Sequence, residues 1–415
     1  MVRKILLILL VPASFLLASG FSIYEQGSRA TGMAGAFMAR ANEPSAIFYN
    51  PAGIAGLKGW QLQVGTTAIQ PQFSFTGPLS MDQYTYNKAK KGLFFPSHLY
   101  ATYTLNPNIS FGLGIYSPFG MATTWQDKWV GRLLATNTEL RTVFFNPVVA
   151  YKIRDNLSVA AGISLVNANV VLEKDVLFTP RHLFGHSKLE ANTNGFGFNM
   201  GIHYRLCDKA ELGIVYRSPV QLDFNDGKAY FTFPVTQNDI VNQEIAAYFP
   251  AKTKATSAIT LPASYGLGVA YEMTPNLSFE FDYLVMGWHS YDEVKITFAD
   301  PVAGQTENVN PRNYKDSFSL RFGLEYRLDT HLTLRAGYAW DSHAVPSAYV
   351  EPTLPENDRH NYTIGLGYHN RHFSVDAAYH ILLQDDRQVE NTVSSFDGSY
   401  AGLANIAGLT FGYAF

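Results

Sequence analysis

The sequence predicts an all-β transmembrane protein: a 14-stranded antiparallel β-barrel of the outer-membrane type, plugged by a small N-terminal hatch. Aromatic residues make up 14% of the 415 residues and charged residues 16%, against about 25% charged residues in soluble proteins. The mean hydropathy is −0.05, so the apolar residues are dispersed, as in alternating barrel strands. A recurring tyrosine-closed turn and a glycine-rich and alanine-rich segment before the first strand complete the prediction. The net charge of −3 argues against a nucleic-acid partner.

Residues 1–19 have the pattern of a secretory signal peptide. Arg3 and Lys4 precede an apolar run, and small residues follow it from Ala18, so cleavage is expected between Ala18 and Phe21. An uncleaved membrane anchor is the alternative, and the shortness of the apolar run argues against it. Beyond this segment no apolar run approaches the roughly 20 residues that a membrane helix needs.

The C-terminus is an alternating aromatic strand, with Leu409, Phe411, Tyr413 and Phe415 on one face. Such an ending resembles the sorting signal of bacterial outer-membrane proteins. Together with the signal peptide it predicts a multi-pass β-barrel in a cell outer membrane of the Gram-negative type.

A recurring pattern counts the strands. In each instance a tyrosine closes one strand, a short polar turn of Asn, Asp or Pro follows, and an apolar residue opens the next strand. The tyrosines are Tyr103, Tyr151, Tyr204, Tyr271, Tyr326 and Tyr368. Six short turns on one side and long connections on the other are typical of outer-membrane barrels, with the short turns in the periplasm. Six turns join twelve strands, and a first and a last strand make fourteen. The predicted strands are 60–70, 96–105, 108–119, 142–153, 156–175, 190–206, 209–224, 255–273, 276–296, 314–328, 331–342, 360–369, 372–386 and 400–415.

Alternation within the strands separates a lipid face from a lumen face. Leu334 and Leu324 share parity with other apolar residues, whereas Arg335 and Glu325 lie on the opposite face. Charges belong on the lumen side, because a lysine or arginine on the lipid face costs about 2–4 kcal/mol at the membrane midplane. We expect Glu325 and Arg335 to pair across neighbouring strands and to stabilise the barrel interior, in preference to any catalytic role.

Residues 20–57 contain no strand alternation and are predicted to plug the barrel, which spans residues 58–415. A segment of this size is too small to form a domain in water. A flexible periplasmic tail is the alternative, but it would leave apolar residues such as Phe48 and Tyr49 exposed.

Two further features depart from a simple open pore. Pro118 and Gly120 lie at the end of the third strand, and such a pair marks either a kink in the wall or the end of the strand at a loop. The loop segments 176–186 and 240–249 carry apolar tips, which indicate either a binding site or packing of one loop on another.

Catalytic and metal motifs are lacking. The sequence contains no H-E-x-x-H, P-loop or G-x-S-x-G motif, and its eleven histidines form no metal-like cluster. We therefore predict no enzyme, no cofactor, no metal site and no catalytic residue. An outer-membrane lipid-modifying enzyme stays an alternative, and it would need a Ser/His/acid constellation.

The segment "GFSIYEQGSRATGMAGAFMARANEPSAIFYNPAGIAGL", with its Asn50-Pro51-Ala52 triplet, resembles the hatch of the FadL/TodX family. This family comprises outer-membrane transporters of long-chain fatty acids and channels for aromatic hydrocarbons. The late-strand region from residue 335 to 368 and the closing "FGYAF" also fit, so the likeness covers essentially the whole mature chain.

The resemblance implies passive, ligand-gated uptake of long-chain fatty acids or similar hydrophobic compounds, with lateral release at a kinked third strand. An aromatic hydrocarbon channel is the alternative. Phe21 would approach the ligand pocket, Asn50, Pro51 and Ala52 would anchor the hatch, and Arg217 would receive a carboxylate. The kink would consist of Ser117, Pro118, Phe119 and Gly120. An outer-loop groove would consist of Leu177, Phe178, Leu183, Phe184, Ile240, Ile245, Tyr248 and Phe249.

The expected partners are therefore a long-chain fatty acid or other apolar small molecule and the lipids of the outer membrane. A plugged barrel formed by a single chain needs no second copy, so a monomer is expected.

Overall fold

The structure is a computed structural model that describes residues 20–77 and 85–415, and the predicted signal peptide lies outside the described residues. None of the helices among the described residues is long and apolar enough to cross a membrane. Twenty β-segments form one antiparallel sheet. Their bounds are β1 Trp60–Gly77, β2 Thr85–Lys88, β3 Ser97–Asn106, β4 Ile109–Tyr116, β5 Gly120–Thr124, β6 Asn137–Arg154, β7 Leu157–Phe178, β8 Leu183–Cys207, β9 Ala210–Arg217, β10 Val220–Thr232, β11 Lys252–Leu261, β12 Ser264–Thr274, β13 Leu277–Met286, β14 Glu293–Val302, β15 Gln305–Pro311, β16 Ser317–Arg327, β17 Leu332–Asp341, β18 Arg359–His369, β19 Phe373–Val389 and β20 Gly398–Ala414.

The sheet closes on itself because β20 pairs with β1 along its length, with Phe411 opposite Val64. Nine wall strands of the described chain are continuous. Five more are each made of two consecutive segments: β4 with β5, β9 with β10, β11 with β12, β13 with β14, and β15 with β16. The segment β2 adds a short extension beside the extracellular end of β1. The prediction of a closed barrel of 14 antiparallel strands is confirmed.

The predicted strands differ from the structure mainly in one respect: five wall strands are interrupted, whereas the prediction has them continuous. Pro219 and Pro262 lie at two of the interruptions, because proline cannot donate to the ladder of hydrogen bonds. The third wall strand, predicted as 108–119, stops at Tyr116 and resumes from Gly120 to Thr124. The breaks at 287–292 and 312–316 were not predicted.

The two faces of the wall have opposite chemistry. The lipid face carries exposed apolar side chains such as Leu334 and Leu324, whereas Arg335 and Glu325 are buried on the lumen face. The apolar belt has a sharp upper limit on β7. There, Leu165 is opposite Phe196, and the next outward-facing pair is Asn167 with Asn194.

The N-terminal segment lies inside the barrel. It consists of two single-turn helices, α1 (Ser28–Thr31) and α2 (Ala46–Tyr49), followed by a 3-10 helix over Pro51–Gly56. Its apolar side chains, including Phe37, Phe48 and Ile54, are buried in the same core as lumen residues of the wall. Outside the lumen, helix α3 (Asp239–Tyr248) lies in an extracellular loop, and further 3-10 helices occur at Thr179–Arg181, Trp288–Ser290 and Ser347–Tyr349.

Candidate functional site

The hatch is tied to the wall by two buried carboxylates of β13. The backbone N–H groups of Phe37 and Met38 donate to Asp282 Oδ2 at 2.8 and 3.0 Å. The N–H groups of Ala39 and Arg40 donate to Glu280 Oε1 at 2.7 and 3.3 Å. The turn 37–40 thus presents four aligned donors to two adjacent acids, an arrangement that fixes its position in the lumen.

An ionic cluster adds further links between hatch and wall. Glu325 accepts from Arg29 of the hatch at 3.0 Å, from Arg40 of the hatch at 3.1 Å and from Arg335 of the wall at 2.8 Å. Arg335 also donates to Asp376 at 2.7 Å. The Glu325–Arg335 pair expected from the alternation is present. Glu325, Arg335 and Asp376 are buried, Arg29 and Arg40 are nearly so, and each of these charges has a partner.

Asn50 joins the two parts through its side-chain amide. Its Nδ2 donates to the carbonyl of Met38 in the hatch at 2.8 Å and to that of Ile202 in β8 at 3.0 Å. Its Oδ1 accepts from the N–H of Ala52 and so caps the 3-10 helix that begins at Pro51. A Cβ at Gly201 would lie 2.3 Å from Asn50 Oδ1, so this wall position requires glycine for the close approach.

The third wall strand is interrupted at Ser117–Phe119, and the hatch supplies the missing partners. The N–H of Ile23 donates to the carbonyl of Pro118 at 2.8 Å, and the N–H of Gly120 donates to the carbonyl of Phe21 at 3.0 Å. Gln26 Nε2 donates to the carbonyl of Ser117 at 2.8 Å. The sequence left open whether Pro118 kinks the wall or ends the strand at a loop. In the structure the strand resumes at Gly120, so Pro118 lies in a kink within the wall.

The kink contains one residue more than the neighbouring strand. Tyr116 is opposite Phe144 and Gly120 is opposite Arg141, so four steps along one strand face three along the other. Among the described residues no strand pairs along the other edge of β5, and only an isolated bridge joins Ala89 to Trp125 above it. The wall therefore has a lateral opening beside the kink.

A cavity of about 630 Å³ connects the lumen with this opening. Its wall includes lumen residues such as Ile406 and Leu284 and residues exposed on the outside, such as Leu93 and Val143. Charged groups line it in two places: Glu139 and Arg141 lie on β6 beside the kink, and Glu25 of the hatch, Arg321, Asp341 and Arg359 lie farther round the lumen. The cavity is thus mainly apolar with a polar border, which suits a ligand with a hydrocarbon body and a small head group.

A second cavity of about 340 Å³ lies above the first, towards the extracellular loops. Phe21 lines both cavities and packs edge to face against Trp288, with ring centroids 4.6 Å apart. Phe21 therefore lies at the boundary between the outer and the inner cavity, together with Met121, Leu140 and Leu354, which also line both. Lys174 lines the outer cavity beyond the apolar belt, and burial lowers the pKa of its amine.

Residues 9–415 match the model of the family "Outer membrane protein transport protein (OMPP1/FadL/TodX)". The chain belongs to this family. The long-chain fatty acid transport protein of Escherichia coli O6:H1 is 24% identical over 96% of this chain and 95% of its own length. A FadL homologue from Pseudomonas aeruginosa has the same fold, with a TM-score of 0.83 and 20% identity over 95% of this chain and 99% of its own. The toluene transporter TodX of P. putida superposes with a TM-score of 0.71 and 17% identity, over 94% and 98% of the two chains.

This FadL-family protein is accordingly an outer-membrane transport protein, as the resemblance of the hatch motif indicated. The family contains both fatty-acid transporters and hydrocarbon channels, so membership leaves the cargo open. The placement of individual side chains bears on that choice.

Arg217 has the predicted lumen parity, but in this FadL-family barrel it lines neither cavity. Its guanidinium lies 4.4 Å from the ring centre of Phe48 in the hatch, and its Nη1 donates to the hydroxyl of Tyr116 at 3.2 Å. This position does not favour the carboxylate-binding role expected for it. Arg359 lines the inner cavity, donates to the carbonyl of Gly20 at 2.9 Å, and forms no ion pair with a carboxylate among the described residues.

The predicted outer-loop residues come together only in part. Phe178, Ile245 and Phe249 are buried in a small core between the two loops, which an Arg181–Glu244 ion pair also joins. Leu183 packs against this core, and Leu177 is half-buried beside it. Tyr248 packs on Phe178 with its other side exposed, Ile240 is exposed, and Phe184 lies under the guanidinium of Arg132. Phe249 alone of the eight lines the outer cavity, so loop-on-loop packing accounts for most of the apolar tips.

The lipid-modifying alternative finds little support in the described residues. A hydroxyl and imidazole chain runs from Ser28 through Thr410 to His98, with distances of 2.8 and 3.1 Å. His98 Nδ1 is buried without a partner, so no carboxylate orients the imidazole as a nucleophilic triad requires. These three residues line neither cavity. No cluster of metal-ligating residues occurs in the described part of the chain either.

Proposed function

We propose that this protein takes up long-chain fatty acids, or amphiphiles of similar shape, passively and without covalent chemistry. The cargo enters the outer cavity, passes Phe21 into the inner cavity, and leaves sideways into the membrane at the kink of Ser117–Gly120. The observation that carries the proposal is the continuity of the inner cavity from the lumen to the opening in the wall. A single plugged chain contains the whole path, so we expect it to act as a monomer.

The physical reason for a lateral route is the hatch below the cavity. The turn 37–40 and Asn50 close the lumen on the periplasmic side through buried hydrogen bonds. An apolar molecule gains about 0.8 kcal/mol for each methylene that it removes from water. A path from one apolar cavity to the membrane interior keeps that gain, whereas a path through a water-filled pore would lose it.

Fatty acids are favoured over hydrocarbons by Arg359, because the other two arginines that line the inner cavity, Arg141 and Arg321, are paired with Glu139 and Asp341. Arg359 can donate to a cargo carboxylate because its guanidinium forms no ion pair with an acid among the described residues. An aromatic hydrocarbon, as transported by the structurally similar TodX, would gain no charge-assisted hydrogen bond from this group and at most a weaker cation–π contact.

Replacing Arg359 tests this assignment. Arg359→Gln is expected to weaken oleate binding by roughly tenfold or more, since a hydrogen bond to a charged group contributes about 1.5–3 kcal/mol. Toluene binding is expected to change little. Displacement of a fluorescent fatty acid from the purified protein measures both, with Arg217→Gln as the matched control. A larger loss for Arg217→Gln would transfer the carboxylate site to that residue.

Uptake of cargo by whole cells tests the function as such. Cells that lack their own transporters of this family are expected to accumulate labelled oleate faster when they produce this protein, and toluene to a smaller extent. The reverse preference would make the protein a hydrocarbon channel. Equal accumulation of both compounds with and without the protein would refute the transport proposal.

A further inference from the structure

Four exposed lysines lie together above the lateral opening, on two segments that are distant in the sequence. Lys88 ends β2 on its membrane side, Lys90 and Lys91 follow it, and Lys128 belongs to the turn after β5. We call these four residues the lysine patch. The N–H of Lys90 donates to the carbonyl of Thr124 at 2.6 Å, which holds the two segments side by side.

The patch rests on a rigid base. Trp125 and Trp129 are buried beneath it and stack with centroids 4.2 Å apart, and Trp125 Nε1 donates to the carbonyl of Pro352 at 3.0 Å. Asp127 forms an ion pair with Lys90 at 2.6 Å. Among the described residues, no other carboxylate forms an ion pair with one of the four lysines. Four cations against one anion leave a concentrated positive charge.

The height of the patch places it in the head-group layer of the outer leaflet. The outward face of β1 is apolar at Leu62 and Val64, and further up it changes to Gln70, Gln72 and Ser74. Lys88 is opposite Ser74 and shares its outward face. The lysines therefore lie just above the apolar belt, where the phosphates of outer-leaflet lipids lie.

Apolar side chains continue from the patch down to the opening. Phe94 bridges to the inward-facing Ile69, so its neighbours Leu93 and Phe95 point outward. Leu93 is 54% exposed and Phe95 is 59% exposed, and both line the mouth of the inner cavity. Cations above an apolar surface match a molecule with anionic head groups above acyl chains.

We propose that the lysine patch binds the phosphate groups of a phosphorylated outer-leaflet glycolipid, whose acyl chains lie against Leu93 and Phe95 at the mouth of the lateral opening. The site is independent of which cargo the protein carries. A phosphorylated glycolipid would then be bound specifically at the mouth of the lateral opening, whereas other lipids would contact the wall without a specific site.

Binding of lipid A to the purified full-length protein tests the proposal. Native mass spectrometry of protein in nonionic detergent measures the apparent Kd for lipid A with both phosphates and for the dephosphorylated lipid. The patch variant carries K88Q, K90Q, K91Q and K128Q. A matched control replaces four exposed lysines on other extracellular strands, namely Lys228, Lys252, Lys254 and Lys295, by glutamine.

The patch variant is expected to bind phosphorylated lipid A about tenfold more weakly than the control variant, because several basic groups next to an anionic surface act together. Dephosphorylated lipid A is expected to bind the unaltered protein weakly. It is expected to bind the patch variant and the control variant with the same weak affinity. Arginine at the same four positions is expected to restore binding, which separates loss of charge from faulty folding.

Three results would overturn the proposal. The first is a control variant that loses as much affinity as the patch variant. The second is dephosphorylated lipid A that binds the unaltered protein as tightly as the phosphorylated form does. The third is an arginine variant that does not recover binding although its heat-dependent gel migration shows a folded barrel.

Discussion

Deletion of Pro118 is expected to close the lateral opening and reduce cargo uptake to the level of cells without the protein. The stretch from Tyr116 to Gly120 contains one residue more than the opposing stretch of β6. Removal of one residue places Ser117 opposite Val143 and Phe119 opposite Thr142, so that β4 and β5 become one strand with unchanged side-chain parity. Binding of fatty acid in the outer cavity should persist, because the wall there is unaltered.

The control for this deletion is Pro118→Ala, which removes the ring but keeps the extra residue. It is expected to retain most of the uptake, since the backbone of the kink is held by Phe21, Ile23 and Gln26 of the hatch and not by the proline itself. Uptake that survives the deletion in a folded barrel would contradict exit through this opening. Loss of uptake in both variants would show that the proline ring, not the extra residue, matters.

Replacement of both acids that hold the hatch, E280A with D282A, is expected to loosen the plug and to produce ion conductance. The four backbone N–H groups of 37–40 lose their side-chain acceptors, and a buried donor without a partner costs about 1–3 kcal/mol. The donors stay buried without partners, so water is expected to enter between hatch and wall. Planar-bilayer recordings should show conductance steps that the unaltered protein lacks, and deletion of 20–57 should show larger ones.

Asp208→Ala, at an exposed periplasmic turn, removes a negative charge without touching the hatch and should leave the conductance unchanged. A silent bilayer for both E280A/D282A and the 20–57 deletion would contradict a plug that blocks the lumen.

The fold was predictable because its strongest signals are local. Each periplasmic turn is closed by a tyrosine within a few residues of the next strand, and alternation assigns Arg335 and Leu334 to opposite faces without knowledge of their partners. The segment breaks at 287–292 and 312–316 were missed. They depend on how β11 meets β14 across the sheet, which no short window of sequence contains.

The role of a site residue could be predicted where it depends on the backbone of that residue alone. It was harder to predict where the side chain contacts the hatch. Pro118 marks the kink because a missing N–H is a local property. Arg217 has the right parity, yet the ring of Phe48, which comes from the hatch, covers it. Arg359 was overlooked because its contact with Gly20 joins residues 339 positions apart. Alternation gives Glu280 and Asp282 a lumen parity as well, but their four N–H partners come from the hatch and cannot be foreseen from the strand.

The hatch is attached unevenly, with a body held through buried charges and a first turn held mainly through its backbone. From Arg29 to Asn50, ion pairs and carboxylate contacts join it to the wall, and breaking any of them would strand a buried charge or amide. Residues 20–23 meet the wall through backbone hydrogen bonds, including those of Gly20 with Glu356 and Arg359, and through the aromatic packing of Phe21. A cargo molecule that displaces Phe21 therefore works against these contacts and not against the ion pairs of the body, so the pathway can change shape over a few residues while the seal of the barrel stays intact.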